Sequence, residues 1–246
     1  MTKIEKLPSG APLMTYDDVA PKDFEFAFGN EKNIEVISNH IEKHIGPIDQ
    51  VFHEIISDQV HIDVFWVKPS ETLPYNILVT SGMSDRPMTT PEVFQDYFRY
   101  AELFLLLPPD WPLDMESLEN EDNYWPMRWL KQLARFPHEY DTFFCIEHTV
   151  GGGDPPVNFS PNCPFCGFLF FVSPSLPDEF QTLQLETGET IHFYCLIPLY
   201  KEEIDLKNNK GLEALLDRLE AAEVSDVIDI HRKNSCPKKK GFFGLW

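Results

Sequence analysis

Three segments of the chain place apolar residues at the spacing of an amphipathic helix. The first ends at Gly46-Pro47, a dipeptide that terminates helices. The second begins at Pro126, a residue well suited to the first helical position, and ends at Pro137. Their apolar positions are Ile34, Ile37, Ile41 and Ile45; Trp129, Leu130, Leu133 and Ala134; and Leu212, Leu215, Leu216, Leu219 and Ala222. The pattern predicts one helix in each segment.

Runs of β-branched and aromatic residues between these helices predict strands. The predicted strands cover 51–56, 60–67, 75–80, 101–107, 142–147, 165–172 and 190–198. The first two are expected to form a hairpin around the short loop 57–59. Because the strands do not alternate strictly with helices, a doubly wound fold is disfavoured. The pattern predicts an α+β fold in which a mixed β-sheet carries flanking helices.

Three segments of different character divide the chain. Residues 1–30 are predicted to form a flexible N-terminal arm. Residues 31–232 hold all of the predicted elements and are expected to form one compact domain. Residues 233–246 form a basic and aromatic C-terminal tail, in which Lys238, Lys239 and Lys240 precede Phe242, Phe243 and Trp246. Such a tail can touch an anionic membrane, but it is too short for stable insertion.

The chain is strongly acidic, with 40 Asp and Glu residues against 20 Lys and Arg residues and a formal net charge of −20. Such a surface repels phosphate backbones, so nucleic acid is not expected as a partner. The range 101–127 contains no Lys or Arg; its acids are Glu102, Asp110, Asp114, Glu116, Glu119, Glu121 and Asp122. This charge favours a basic protein partner, whose approach it would accelerate. The open alternative is that the acids only keep the chain soluble.

Cysteine usage and hydropathy indicate a cytoplasmic protein. Five cysteines are an odd number, which is atypical of a secreted disulfide framework. The first residues are polar and show no signal-peptide pattern. No segment approaches the roughly 20 apolar residues that a membrane span needs.

Two residue pairs form the sharpest local chemistry. Cys145 and His148 are three positions apart, and so are Cys163 and Cys166. By spacing, the four can bind zinc, or the second pair can act as a redox dithiol. However, residues three apart at a strand end point to opposite faces, and no helix follows Cys166 to lower a thiol pKa. We therefore predict no metal site, no cofactor, and loop thiols without a catalytic role.

His61 and Asp63 lie two positions apart on the predicted strand 60–67, and so on one face. Such a pair can ligate a metal ion or exchange protons. Nothing else in the sequence converges visibly on the pair. A solvated strand face is the favoured interpretation.

Several short segments occur in a specific order. Ser81-Gly82-Met83-Ser84-Asp85-Arg86-Pro87-Met88 follows a strand, and 101–108 precedes Asp110-Trp111-Pro112. Trp125-Pro126, Leu133-Ala134-Arg135 and Glu147-His148-Thr149 come next, and Ile197-Pro198-Leu199-Tyr200 with 201–205 closes the set. This order resembles the suppressor-of-fused-like domain of bacteria over about residues 34–232.

The resemblance implies a mixed α/β fold with no known catalytic activity. Animal members of the family bind Gli transcription factors, partly through an extended peptide, and bacterial members are proposed immunity proteins against polymorphic toxins. In the animal proteins, an acid beside a histidine and an aromatic after the Leu-Ala-Arg step line the peptide cleft. The matching residues here are Glu147, His148 and Phe136, and Phe136 lacks the hydroxyl of its animal counterpart.

Residues and resemblance together predict a non-enzymatic protein-binding module. It is expected to sequester or inhibit a protein partner that is basic or presents an extended peptide, as an immunity protein does with a toxin. The predicted partner-binding residues are Phe136, Glu147, His148, Glu116, Glu119, Glu121 and Asp122. The alternative is a metal- or thiol-dependent enzyme that uses Cys145, His148, Cys163 and Cys166.

Overall fold

A computed structural model of the chain describes residues 3–16, 22–95 and 97–237. Its helices are α1 (Glu31–His44), α2 (Glu121–Glu139), α3 (Lys201–Lys210) and α4 (Leu212–Ala221). Its strands are β1 (Lys3–Lys6), β2 (Pro12–Thr15), β3 (Ile48–Phe52), β4 (Asp63–Val67), β5 (Asn76–Ser81), β6 (Tyr100–Leu107), β7 (Thr149–Gly151), β8 (Gly167–Phe171), β9 (Thr182–Gln184) and β10 (Thr190–Leu199).

The strands β3 to β10 form one mixed sheet. Its main path runs β3-β4-β5-β6-β10-β8-β7, and β9 pairs with the start of β10. The pair β6–β10 is parallel, whereas the other pairs are antiparallel. β1 and β2 form a separate antiparallel hairpin. The mixed sheet with helices outside it confirms the predicted α+β fold.

Helices cover both faces of the sheet. α2 packs its buried residues Trp125 and Leu133 into the core on one face. α1, α3 and α4 contribute Ile41, Ile204 and Leu215 to the core on the other face. Because the central strand β6 is buried on both sides, its sequence is a continuous apolar run instead of an alternating pattern.

Two helical predictions need correction. α2 does not begin at Pro126, because Asn120 caps it earlier by accepting a hydrogen bond from the N–H of Asp122 at 3.0 Å. Pro126 is buried inside the helix, where the core contact offsets one missing main-chain hydrogen bond. α3 was not predicted at all. It is separated from the predicted last helix by Gly211, whose φ is +93°.

The first predicted hairpin has a longer loop than expected. β3 and β4 are joined by residues 53–62, and the predicted strand 60–67 therefore begins at Asp63. The loop is longer because its main chain forms hydrogen bonds with a segment that lies before α1. The N–H of Ala27 donates to the carbonyl of Ser57 at 3.2 Å, and the N–H of Gln59 donates to the carbonyl of Glu25 at 3.0 Å. These bonds draw 57–59 onto the segment 25–27 instead of into a tight turn.

The terminal segments of the predicted arm and tail are described in part. In the arm, Arg86 of the body pairs with Glu25 at 2.5 Å. The tail is described up to residue 237, so Lys238 and the aromatic residues after it lie outside the described residues. Within the described ranges, no helix combines the length and apolar character needed to cross a bilayer.

Candidate functional site

The predicted residues Phe136 and His148 contact neighbouring rings of the segment that links α2 to β7, and Glu147 directly precedes His148 in that segment. The rings of Phe136 and Phe144 stack with centroids 5.5 Å apart, and the rings of Phe143 and His148 lie 5.2 Å apart. Phe143 and Phe144 are buried, whereas Glu147 is exposed. We call these five residues the aromatic corner. It combines apolar ring surface with one exposed carboxylate.

A tight turn presents Glu147 and His148. Glu147 has a φ of +73°, in a region that residues other than glycine seldom adopt. Its N–H donates to the carbonyl of Phe170 at 2.7 Å, and the N–H of His148 donates to the carbonyl of Cys145 at 3.2 Å. The segment 142–147 is therefore not the predicted strand, because the turn redirects the main chain before a ladder can form.

Lys207 of α3 holds this turn from the other side. Its ammonium donates to the carbonyl of Glu147 at 2.6 Å and to the hydroxyl of Thr149 at 2.7 Å. Burial lowers the pKa of Lys207, and the nearby carboxylate of Glu147 opposes that change. The main chain of the turn is thus fixed while the side chain of Glu147 stays exposed.

The N-terminal segment covers part of the aromatic corner. The ring of Tyr16 meets the ring of Phe136 edge-on with centroids 5.1 Å apart, and it lies 5.3 Å from the ring of Tyr140. The hydroxyls of Tyr16 and Thr142 are 2.6 Å apart. Sequence reasoning missed Tyr16, because it lies in the predicted arm and follows no periodic pattern.

The titratable groups at the corner are poorly suited to acid–base or nucleophilic chemistry at neutral pH. Burial lowers the pKa of His148 to about 4, so its imidazole is neutral at pH 7. Burial raises the pKa of Cys145 to about 11, so its thiol stays protonated. The corner offers ring surface, main-chain groups and one carboxylate, which are groups suited to binding.

The four residues of the enzyme alternative do not come together. Cys163 belongs to the core on the α2 side of the sheet, whereas Cys166 belongs to the core on the opposite side. Burial raises their pKa values to about 12 and about 11. Among the described residues, the ligand atoms that converge within 4.8 Å in a group of three include neither Cys145 nor His148. This geometry gives the metal- or thiol-dependent enzyme no support.

The predicted acidic residues lie before α2 and in its first turn. They are Glu116, Glu119, Glu121 and Asp122. The first two are exposed, the third pairs with Arg128 at 2.6 Å, and the last accepts a hydrogen bond from the N–H of Asn162 at 3.1 Å. At a helical rise of about 1.5 Å per residue, Glu121 and Phe136 are about 22 Å apart along α2. The acidic residues and the aromatic corner are two separate surfaces.

His61 and Asp63 do not form the predicted solvated strand face. Asp63 is 2% exposed. Its Oδ1 lies 3.1 Å from Nε2 of His61, and its Oδ2 lies 3.0 Å from Nδ1 of His53. The interpretation was wrong because the loop 53–62 folds inward. The signal that could have found His53 is the hairpin register: extending the pair Phe52↔Val64 by one position sets His53 opposite Asp63.

Comparison with known proteins places the fold and the sequence in one family. The sequence model of the suppressor of fused protein (SUFU) family matches residues 58–233, well over half of the chain. No curated protein sequence matches the chain. Among solved structures, a putative suppressor of fused homolog from Neisseria gonorrhoeae FA 1090 has a TM-score of 0.59 at 16% sequence identity. That match covers 85% of this chain and 100% of the other.

Two further solved structures share the fold. The structure of the Sufu-Fu complex matches with a TM-score of 0.58 and 14% identity over 82% of this chain and 92% of that chain. Drosophila Suppressor of Fused matches with a TM-score of 0.55 and 14% identity over 82% of this chain and 51% of that chain. At such identities these likenesses show the fold, and the sequence match shows the membership. The chain belongs to the suppressor of fused protein family.

Proposed function

We propose that this chain is a non-enzymatic protein-binding module that inhibits or sequesters its partner by binding an extended peptide at the aromatic corner. The observation that carries the proposal is the position of Glu147. It is an exposed carboxylate beside aromatic rings, on a turn that leads directly into a strand at the edge of the sheet. A peptide side chain with a positive charge or a hydrogen-bond donor can bind that carboxylate, while the half-buried rings of Phe136 and His148 contact its apolar neighbours.

The edge strand β7 supports an extended peptide as the ligand. β7 is the last strand of the sheet path and pairs with β8 on one side only. The N–H of Phe170 donates to the carbonyl of His148 at 2.9 Å, and the N–H of Gly152 donates to the carbonyl of Cys166 at 2.7 Å. Antiparallel alternation then turns the main-chain groups of Thr149 and Gly151 away from β8. An added strand can bind these outward groups.

The charge of the molecule supports a basic partner. With a formal net charge of −20, the chain attracts a basic protein from a distance and repels an acidic one. The exposed Glu116 and Glu119 extend this negative surface at the far end of α2 from the aromatic corner. We assign them to the approach of the partner and the aromatic corner to its retention.

A toxin is the partner class that we propose. The family match, together with a site suited to binding, supports inhibition by occupation of the partner's surface. The localisation proposed with it is the cytoplasm, where an immunity protein meets an incoming toxin.

Growth rescue and capture test this proposal together. The chain is co-produced in a bacterial host with each toxic protein that a neighbouring gene encodes, and growth and co-purification are measured. Wild type restores growth and retains the toxin, and the charge reversal Glu147→Arg loses both. The matched control is Glu42→Arg on α1, an exposed acid that leaves the aromatic corner untouched and behaves as wild type. Equal rescue by both variants would exclude the aromatic corner as the binding surface.

A further inference from the structure

The loop between β3 and β4 and the first residue of β4 bring two histidines and a carboxylate together. Nδ1 of His53 and Nε2 of His61 lie 3.0 and 3.1 Å from the two oxygens of Asp63. All three ligand atoms fall within 4.8 Å of one another. Imidazole nitrogen and carboxylate oxygen are both ligands of Zn²⁺ and of other divalent first-row metal ions.

The burial of Asp63 calls for a positive charge. Asp63 is 2% exposed, and a buried carboxylate is costly unless it is paired. Besides the two imidazoles, it accepts a hydrogen bond from the N–H of Glu54 at 3.2 Å. Among the described residues, the two side chains within salt-bridge distance of it are histidines. The ammonium of Lys131 is near enough to feel Asp63 and Glu54.

The charges around the cluster sum to a negative value when the histidines are neutral. Three carboxylates lie near one another here, those of Glu54, Asp63 and Asp85. The carboxylates of Glu54 and Asp63 both interact with Lys131, and that of Asp85 interacts with Asp63. Two cations, Arg135 and Lys131, oppose them. Arg135 is committed to Glu54, whose two oxygens it binds at 2.5 Å. The cluster therefore favours a cation.

Hydrogen bonding orients the ring of His61 for a ligand role. The hydroxyl of Ser57 donates to the carboxylate of Glu54 at 2.7 Å, and the Ser57 oxygen lies 2.7 Å from Nδ1 of His61. With its one proton on Glu54, Ser57 can accept a hydrogen bond from Nδ1. That arrangement leaves the lone pair of Nε2 for a metal ion beside Asp63.

The same arrangement is the one by which proteins orient metal-binding histidines, since the nitrogen that does not bind the metal donates to a fixed acceptor. Tetrahedral coordination at bonds of 2.0–2.1 Å sets neighbouring ligand atoms about 3.3 Å apart. The observed separations of 3.0 and 3.1 Å are to different oxygens of Asp63, and the two histidine nitrogens lie within 4.8 Å of one another. Coordination of one ion therefore needs side-chain rotation. The side chain of His53 is 71% exposed, which leaves it free to make that adjustment.

We propose that His53 Nδ1, His61 Nε2 and the carboxylate of Asp63 form a binding site for a divalent transition-metal ion of the Zn²⁺ class. Three protein ligands leave a coordination position for an outside ligand. This site uses none of the residues of the aromatic corner or of the cysteine pairs, and it replaces the expectation from sequence that the chain binds no metal. Its ligands also join the loop 53–62 to β4, so the bound ion stabilises the folded chain.

Calorimetric titration of the full chain with Zn²⁺, after treatment with a chelator, tests the site. Wild type takes up one ion per chain, and His53→Ala and His61→Ala each weaken binding at least tenfold. The matched control is His231→Ala, another exposed histidine, which leaves the affinity unchanged. Cys163→Ser also leaves it unchanged, which separates this site from a thiolate site. Ser57→Ala, which removes the acceptor for Nδ1 of His61, weakens binding about tenfold.

Thermal unfolding with and without Zn²⁺ provides the second measurement. Zn²⁺ raises the melting temperature of wild type and of His231→Ala and leaves that of His53→Ala unchanged. Because His53 is exposed, its variant folds even where a substitution of the buried Asp63 does not. No uptake from excess Zn²⁺, uptake that Cys163→Ser abolishes, or equal affinity in wild type, His53→Ala and His61→Ala overturns the proposal.

Discussion

Glu102 shows how one buried carboxylate organises the loop after β5. It is fully buried in β6, and its Oε1 accepts hydrogen bonds from the N–H of Gly82 at 3.0 Å and from the N–H and hydroxyl of Ser84 at 2.9 and 2.6 Å. Its Oε2 accepts from the hydroxyl of Thr80 at 2.6 Å. Burial raises its pKa, and these donors oppose the rise. The residue belongs to the core scaffold and not to the acidic surface with which the sequence grouped it.

Gly82 permits this loop to pass close to β4. Its φ is +120°, and a Cβ there would lie 1.8 Å from the carbonyl oxygen of His61. We expect Gly82→Ala to lower the free energy of unfolding by about 3 kcal/mol or more, since backbone must move. Urea denaturation measures the loss. The control Gly188→Ala has a φ of +99° and no atom within 4 Å, so it costs about 1 kcal/mol. Equal losses in both variants would refute the close-approach explanation.

His138 should make stability depend on pH. Burial lowers its pKa to about 4 from the ordinary 6.5, and its Nε2 lies 2.9 Å from the carbonyl of Met83. In the unfolded chain, His138 therefore binds a proton below about pH 6.5. In the folded chain, it binds that proton only below about pH 4. Stability contributed by this residue is present above pH 6.5 and is lost as the pH falls to 4, by about 3 kcal/mol.

The substitution His138→Gln tests that dependence. Glutamine keeps a donor near the carbonyl of Met83 but does not titrate. Urea unfolding at pH 7 and at pH 4 should show a smaller loss for His138→Gln than for wild type. The same loss in both proteins would show that other groups cause the acid sensitivity.

Burial is what sequence reasoning lacked at the residue scale. Glu147, His148 and Phe136 were named from motifs whose order is visible in the sequence, and the structure links Phe136 to His148 through the adjacent rings of Phe144 and Phe143. Glu102 and Asp63 were treated as surface acids because nothing in residue type distinguishes a buried carboxylate from an exposed one. Their partners, such as Ser84 and His53, come from other elements and depend on strand register.

At the scale of elements, Arg232 fastens the segment after α4 to α3. Its guanidinium forms two bonds of 2.6 and 2.7 Å with the carboxylate of Glu203, which is 0% exposed, and lies 4.8 Å from the ring centroids of Phe165 and Tyr200. Burial raises the pKa of Glu203, but the hydrogen bond and charge of Arg232, together with backbone donors, lower it by more. The net pKa lies below its ordinary value, so the carboxyl is ionised. The carboxylate is fully buried and the side chain of Arg232 is 10% exposed, so the pair is largely shielded from water and needs both members.

Arg232→Ala is therefore expected to cost about 3–5 kcal/mol of unfolding free energy, because it leaves a buried carboxylate unpaired. The control Lys201→Ala removes the exposed pair Lys201–Asp205 of 2.7 Å, which contributes about 0.5 kcal/mol or less. Urea denaturation of both variants provides the comparison. A cost for Arg232→Ala as small as for the control would mean that Glu203 finds solvent or another donor.

The elements with strong apolar patterns were predictable, and the others were not. α1 and α4 bury isoleucines and leucines at helical spacing, and β6 is an unbroken apolar run. α3 escaped prediction because Ile204 is its one buried apolar residue and most of its surface is polar. The turn at 142–147 has the composition of a strand, but the positive φ of Glu147 and its bond to Phe170 decide its conformation.

At the scale of the whole molecule, the fold class and the family could be read from the sequence, whereas the three-layer arrangement could not. The order of strands β6, β10 and β8 depends on a parallel pair between residues about 90 positions apart, as in Tyr194↔Leu103. No local pattern specifies that pairing. The division into two surfaces, the acidic end of α2 and the aromatic corner, likewise follows from the length of α2 in space.

Charge and contact should act on different kinetic steps of partner binding. Neutralising the exposed acids in Glu116→Gln/Glu119→Gln should slow association at low salt and leave dissociation unchanged. The reason is that long-range attraction between charges speeds the diffusional encounter of the two proteins, and salt screens that attraction. The control Glu213→Gln/Glu220→Gln changes the net charge equally, but on the exposed side of α4, and should slow association less. Stopped-flow mixing with the captured partner measures both rates. Equal association rates for the two variants would contradict local steering.

Retention of a protein partner by the aromatic corner is tested by the dissociation rate of Glu147→Ala. Surface-binding kinetics with the captured partner are measured for wild type, Glu147→Ala and the exposed control Glu42→Ala. We expect Glu147→Ala to dissociate about tenfold faster, a loss of about 1.4 kcal/mol, and Glu42→Ala to match wild type. An unchanged dissociation rate for Glu147→Ala would contradict binding at the aromatic corner.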